Sequence, residues 1–223
     1  PGMLERLRQD YARRVEELPS ASGLADVCYT AGVGRSHLEH RAAIIAADPA
    51  GAAQQLAAFA EERSPTGVHS GVSADPPKTA WLFTGQGSQR VGMGRELYET
   101  QPVFRQTLEE CAAAVEDMLE RPLLDVMFAS DGAVNHTSYA QPALFAVEMG
   151  LARLWESWGV SPDVVLGHSV GQYAAACVAG AFTLAQGAQL LAERGRLFGA
   201  LPAGGSMAAV FAQAEAVGAR LAA

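Results

Sequence analysis

Cysteine is scarce in this chain, and basic charge is outweighed by acidic. The three cysteines, Cys28, Cys111 and Cys177, lie far apart, each among apolar neighbours. Such spacing supplies neither a disulfide framework nor a zinc site, and it reads as small buried hydrophobes in a reducing compartment. Lysine and arginine number 16 against 24 aspartates and glutamates, for a formal net charge of −8. With no basic stripe to interrupt that balance, nucleic acid is excluded as a partner, and Arg6, Arg8, Arg13 and Arg14, which share a helix with acids, read as a solvated face. No apolar run reaches the length of a membrane span, and the start, Pro1-Gly2-Met3-Leu4-Glu5-Arg6, is no signal peptide. The chain therefore reads as soluble and cytoplasmic, without a membrane partner. Internal repeats and low-complexity tracts are absent as well.

At 223 residues the chain can bury a sizeable core, enough for one large domain or one and a half. Its ends suggest a fragment. Pro1 is no translational start, and the last eight residues, from Ala216, stop within an amphipathic helical pattern without a cap.

Leu4, Leu7, Tyr11, Val15 and Leu18 fall on one helical face, closed by Pro19. A second helix is expected over Leu24 to Ala31 with Ser22 as its N-cap, then a strand around Arg41 to Ala46 and a helix from Pro49 to Glu62. Ser64 to Pro77 is rich in turn residues and poor in apolar mass, so it reads as a linker or loop. From Thr79 the pattern is strand, glycine loop, helices, strand, turn and helix. Thr79 to Phe83 is the first strand, Pro102 opens a helix, and another runs from Gln141 to Trp158, with Trp155 and Trp158 at core spacing. Thr183 caps a helix through Phe198, and Ser206 to Phe211 reads as a further strand. Alternating strands and helices give an α/β fold with a partly parallel sheet.

The most informative segment is Gly167-His168-Ser169-Val170-Gly171. It follows the apolar strand Asp163-Val164-Val165-Leu166 and opens an alanine-rich helix that runs to Ala179 and stops at Gly180. A serine on so sharp a strand-to-helix turn presents its hydroxyl outward, the geometry of a nucleophile elbow. The turn also sets Ser169 at the positive end of a helix, where the Val170 N–H is free to bind a developing oxyanion. These are the parts of an acyl-transfer site. A second loop, Thr84-Gly85-Gln86-Gly87-Ser88-Gln89, follows the first strand. It differs from a dinucleotide-binding loop, since Arg90 stands where a third glycine belongs and no acid ends a second strand at the usual distance.

On these residues the chain resembles the acyltransferase domains of modular polyketide synthases and the malonyl-CoA:acyl carrier protein transacylases. The resemblance rests on the Gly85-Gln86-Gly87 loop, Thr137 to Phe145, the elbow, and Ala192-Glu193-Arg194-Gly195-Arg196-Leu197, in that order. Leu24 to Ala47 resembles the linker subdomain between a ketosynthase and its acyltransferase. The implied organisation is a linker subdomain over residues 1–77, the N-terminal part of the large α/β subdomain over 78–204, and the start of a ferredoxin-like subdomain over 205–223. By the same resemblance Ser169 is the nucleophile and the N–H groups of Gln86 and Val170 form the oxyanion hole. Arg194 clamps the free carboxylate of a malonyl group, and Gln141 and His168 lie against the substrate, with no metal.

The resemblance further implies that no cofactor is bound, that acyl-CoA is the substrate, and that phosphopantetheine arrives on the partner, an acyl carrier protein. Tyr139-Ala140-Gln141 and Val170 resemble the malonyl-selecting forms of the family motifs. Further implied partners are the adjacent ketosynthase and the downstream remainder of the domain. That remainder should hold the catalytic base, because the family's histidine follows the elbow while His37, His40, His69, His136 and His168 all precede Ser169. Two other classes share parts of this pattern. A thioesterase-like serine hydrolase has the same elbow, though Arg194 and the Gln86 loop count against it, and the missing histidine leaves open an inert linker or docking piece.

Overall fold

The computed structural model describes residues 2–18, 21–60, 66–73, 77–202 and 210–221. It divides into two units, Pro1–Pro77 and Lys78–Ala223. In the first unit, α1 (Gly2–Glu16) packs on α3 (Pro49–Ala60), with α2 (Ala21–Val33) between them in sequence. Val15, Leu24, Ala52, Ala53 and Leu56 form its small core. β1 (His40–Ile44) and β2 (Val68–Val72), which flank α3 in sequence, form an antiparallel pair registered from His40 opposite Val72 to Ile44 opposite Val68.

Several expectations for this unit need correcting. The stretch expected to be a linker contains β2. Its His69-Ser70-Gly71 centre has little strand propensity, and pairing with β1 is what makes it a strand. Helix α2 starts at Ala21, a strong helix former, so Ser22 lies in its first turn and is not the cap. Arg8 is buried, and its Nη1 donates to the Leu56 carbonyl at 2.9 Å, in the last turn but one of α3. Reaching across to that carbonyl takes Arg8 off the solvated face that its neighbours share. Cys28 is exposed, because α2 is anchored through Leu24 and Val27 and turns Cys28, Tyr29 and Val33 outward. Pro19 lies outside the described residues.

In the second unit, β3 (Ala80–Phe83) and β4 (Val164–Gly167) pair in parallel, Ala80 opposite Val164 through Phe83 opposite Gly167. The crossover between them carries α4 (Arg95–Thr100), α5 (Pro102–Ala114), α6 (Leu123–Phe128) and α7 (Thr137–Ser157). After β4 come α8 (Gly171–Val178), α9 (Leu184–Gly199) and α10 (Ala214–Leu221). Helix α7 is the central element, packed by α5, α8 and α9. Phe104, Leu108, Cys111, Val126, Met127, Phe145 and Leu191 fill the core around it. Each such side chain contributes roughly 1.5–3 kcal/mol when fully buried.

Helix α7 starts earlier than the expected Gln141: it begins at Thr137, capped by His136, whose Nδ1 accepts from the Ser138 N–H at 3.4 Å. Thr183 does cap α9, in a reciprocal capping box with Gln186. Trp155 and Trp158 are exposed and stack edge to face at 5.2 Å, so they are not core residues; with Leu151 they lie on the face of α7 turned away from the buried Leu154. One face of the sheet is also open: Leu82, Val164 and Leu166 are 72%, 56% and 65% exposed, while Phe83 points into the core. The strand expected over Ser206–Phe211 lies mostly outside the described residues, and Val210 and Phe211 are not in a strand. Among the described residues no helix is long and apolar enough to cross a membrane, and no group of His, Cys, Asp and Glu is arranged to hold a metal.

Candidate active site

Among the described residues Ser169 is the one non-glycine with a positive φ, at 51°. A left-handed conformation costs an L-residue about 1–2 kcal/mol, so the surroundings must impose it. They do so through the backbone. The His168 N–H donates to the Phe83 carbonyl at 3.0 Å, extending the sheet by one bond, and the Gly171 N–H then donates back to the His168 carbonyl at 3.0 Å. Strand and helix approach so closely here that only glycine fits on either side of the turn. A Cβ on Gly167 would lie 2.2 Å from the Gly171 carbonyl carbon, and one on Gly171 would lie 2.4 Å from the Thr84 carbonyl oxygen. Ser169 is half-buried at the N-terminus of α8, and the Val170 N–H donates to no described residue. That donor remains available to an oxygen on a group attached to Ser169.

The Gln86 loop leaves β3 beside this turn. An added Cβ on Gly85 would meet His168 Nδ1 at 2.5 Å, so the loop packs on the elbow's histidine. Internal bonds shape it: Ser88 Oγ donates to the Gly85 carbonyl at 3.1 Å, and the Gly87 N–H donates to Gln89 Oε1 at 2.7 Å. The Gln86 N–H, like that of Val170, donates to no described residue.

Helices α7 and α9 add a chain of side chains. Gln141 is fully buried; its Nε2 donates to Gln86 Oε1 at 3.2 Å, and its Oε1 accepts from Arg194 Nη1 at 2.6 Å. Gln86 Nε2 in turn donates to Thr137 Oγ1 at 3.0 Å. Arg194 is half-buried, with its guanidinium 4.5 Å from the Phe198 ring centroid and 5.9 Å from that of Tyr173. It pairs with no carboxylate among the described residues; its neighbours Glu193 and Arg196 pair with each other instead, at 2.6 Å. Close packing at Gly195, where a Cβ would lie 3.0 Å from the Thr137 carbonyl oxygen, brings this part of α9 against the start of α7. The structure thus joins Gln86, Gln141 and Arg194 in one network, next to the turn that carries His168, Ser169 and Val170.

No described residue hydrogen-bonds to the Ser169 hydroxyl. His168 is exposed with its ring against Gly85, and His136 is occupied as the cap of α7. Neither imidazole is arranged to take the serine proton. One residue of the site was not singled out in the sequence: Glu148, on α7, is buried and accepts at Oε1 from the Thr84 N–H at 2.8 Å and from Thr84 Oγ1 at 3.0 Å. Burial pushes its carboxyl up to about 7, opposed by those two hydrogen bonds. An acid inside the apolar run Ala143 to Met149 was the available signal.

Comparison with known proteins follows the same lines. The family model described as an acyl transferase domain matches residues 80–222, and one described as CurL-like, PKS C-terminal, matches residues 1–56. The chain is 47% identical over 191 residues to polyketide synthase GfsA of Streptomyces halstedii, a match covering 83% of this chain and 3% of that protein. It is 48% identical over 185 residues to the phenolphthiocerol synthesis polyketide synthase type I Pks15/1 of Mycobacterium marinum, covering 82% and 9%. Among solved structures, the acyl transferase domain of ZmaA superposes with a TM-score of 0.80 at 31% identity, covering 91% of this chain and 47% of that one. The acyltransferase domain from module 8 of the salinomycin polyketide synthase gives 0.75 at 38% identity, covering 88% and 48%. The chain therefore spans less than half of these solved domains and a small part of the curated relatives.

Proposed function

Since the chain belongs to the acyl transferase domain family of modular type I polyketide synthases, we propose that it loads an extender unit onto an acyl carrier protein through an ester on Ser169. The strained elbow carries this reading: Ser169 at φ 51°, beside two N–H donors, of Val170 and Gln86, that no described residue uses. In the first half-reaction Ser169 Oγ attacks the thioester carbonyl of an acyl-CoA and gives its proton to a base. The oxyanion collects the two N–H bonds, and the C–S bond breaks as the coenzyme A sulfur leaves and takes up a proton. In the second, the phosphopantetheine thiol of the carrier protein attacks the ester. The C–O bond breaks and the serine oxygen recovers its proton.

The unit transferred is malonyl. Arg194 supports this, as a half-buried guanidinium without a carboxylate partner among the described residues, held by Gln141 and the Phe198 ring. A planar guanidinium can take the free carboxylate through two parallel hydrogen bonds. The base is a histidine from outside residues 1–223, a reading supported by the absence of any described imidazole bonded to Ser169 and by the greater length of the solved relatives. Residues 1–223 alone are then inactive. The working partners are an acyl carrier protein and a neighbouring ketosynthase, in the cytoplasm, where acyl-CoA is supplied and the unpaired Cys28, Cys111 and Cys177 stay reduced.

The test is to incubate the complete synthase polypeptide with malonyl-CoA and map the adduct by peptide mass spectrometry. A malonyl ester on the peptide containing Ser169, lost in Ser169→Ala, is expected. An adduct that persists in Ser169→Ala refutes the assignment.

A further inference from the structure

Four polar side chains are buried among the described residues: Arg8, Thr107, Gln141 and Glu148. Arg8 bonds a helix end, Thr107 its own helix, and Gln141 links Arg194 to Gln86. Glu148 differs from the other three, because its Oε2 is buried without a partner while Oε1 accepts two bonds from a single residue, Thr84. A buried carboxyl with half of its acceptor capacity unused is costly. The bonds it does make should therefore matter.

Their position is telling. The parallel ladder ends at Phe83 opposite Gly167, since β4 then bends into the elbow. The Thr84 N–H has lost its strand partner, and Glu148 Oε1 replaces that partner. On the other side the Thr84 carbonyl lies against Gly171. Thr84 is thereby fixed between α7 and α8, two residues before Gln86. Seven residues, about two helical turns, separate Glu148 from Gln141 on α7, so both project from one face. One holds the backbone at the start of the loop and the other the Gln86 side chain.

We propose that Glu148 is a positioning residue for acyl transfer: by accepting both Thr84 donors it fixes the start of the Thr84–Gly87 loop and aims the Gln86 N–H at the oxyanion. This rests on the reading of Gln86 as an oxyanion donor. The bond is the working element and the charge is not, since the carbonyl oxygen of a neutral acid, or of an amide, accepts the same two donors. Loss of one oxyanion donor costs a factor of about 100–1,000 in rate, and a misplaced donor part of that.

The experiment measures the single-turnover rate of Ser169 acylation by malonyl-CoA in the complete synthase polypeptide, with folding followed by thermal melting. Glu148→Ala should lower the acylation rate by about tenfold or more with KM within about twofold, the pattern of an interaction made in the transition state. Glu148→Gln should stay within about twofold of the unmodified protein. Thr84→Val removes one of the two bonds together with a 3.0 Å contact between Thr84 Oγ1 and Ser88 Oγ, and should slow acylation by about threefold; in a Ser88→Ala background, where that second contact is already gone, adding it to Glu148→Ala should cost little more, because the two then act through one contact. If Glu148→Ala does not fold, Thr84→Val and Glu148→Gln carry the test. An unchanged rate in Thr84→Val, a Glu148→Ala loss confined to KM, or losses that multiply when the two are combined in the Ser88→Ala background would each overturn the proposal. Absence of any Ser169 adduct in the unmodified protein would instead sink the functional reading, and this inference with it.

Discussion

Gly167 and Gly171 meet backbone to backbone across the elbow, with the position of a Cβ on Gly167 only 2.2 Å from the carbonyl carbon and oxygen of Gly171. The end of β4, the start of α8 and, through Thr84, the Gln86 loop are stacked with no side chain between them. A methyl group at Gly171 has backbone on its nearest sides and nothing flexible to displace. Gly171→Ala should therefore cost about 1–3 kcal/mol of stability, typical of overpacking. It should also lower acylation about a hundredfold at temperatures where both proteins remain folded, as denaturant melts run beside acyl-CoA labelling would reveal.

Ser169 offers a stability test independent of catalysis. Both Ser169→Ala and Ser169→Gly remove the nucleophile, but only glycine accepts φ 51° without strain. Relief of about 1 kcal/mol or more should exceed the entropic cost of a glycine, so Ser169→Gly should melt above Ser169→Ala. Equal melting temperatures would mean that the elbow relaxes once the hydroxyl is gone.

Arg194 should read charge. Leaving a malonyl carboxylate without a cationic partner in a partly buried site costs several kcal/mol, so Arg194→Ala should damage malonyl transfer far more than acetyl transfer. Arg194→Lys should recover only part of the loss, since an ammonium keeps the charge without the planar fork. Parallel kcat/KM measurements on both substrates check this, and equal losses would mean that Arg194 supports packing alone.

Glu148 should make stability depend on pH. Its carboxyl sits at about 7 in the folded protein, against an ordinary 4.5. Between those values the folded state holds a proton that the unfolded state has released, so stability is fully present below about pH 4.5 and is lost as pH rises through 7. The total is roughly 3 kcal/mol. Glu148→Gln lacks this titration. Its melting temperature relative to the unmodified protein should therefore rise across that window, and a constant difference would contradict the assignment.

The elbow was legible in sequence because its requirements are local: a strand, two glycines at fixed spacing and a helix. The Thr183 cap was legible for the same reason, since an N-cap acts within one turn. What escaped depends on distant partners. β2 becomes a strand through β1, and Glu148 gains its role through Thr84, 64 residues away in sequence. Trp155 and Trp158 fit the helical spacing of a core, yet with Leu151 they lie on a face of α7 that no described element covers, while the adjacent Leu154 is buried. Periodicity reports which face of a helix is apolar, and it says nothing of which apolar face the neighbours cover.

Two glycines seat α9 on α7. At Gly187 the Phe145 ring lies where a Cβ would be, 2.4 Å away, and at Gly195 a Cβ would sit 3.0 Å from the Thr137 carbonyl oxygen. At Gly195 backbone meets backbone, so the start of α7 and the turn of α9 that carries Arg194 shift together or not at all. A side chain added there would be absorbed by no rotamer change and would instead pull on the Arg194–Gln141 hydrogen bond.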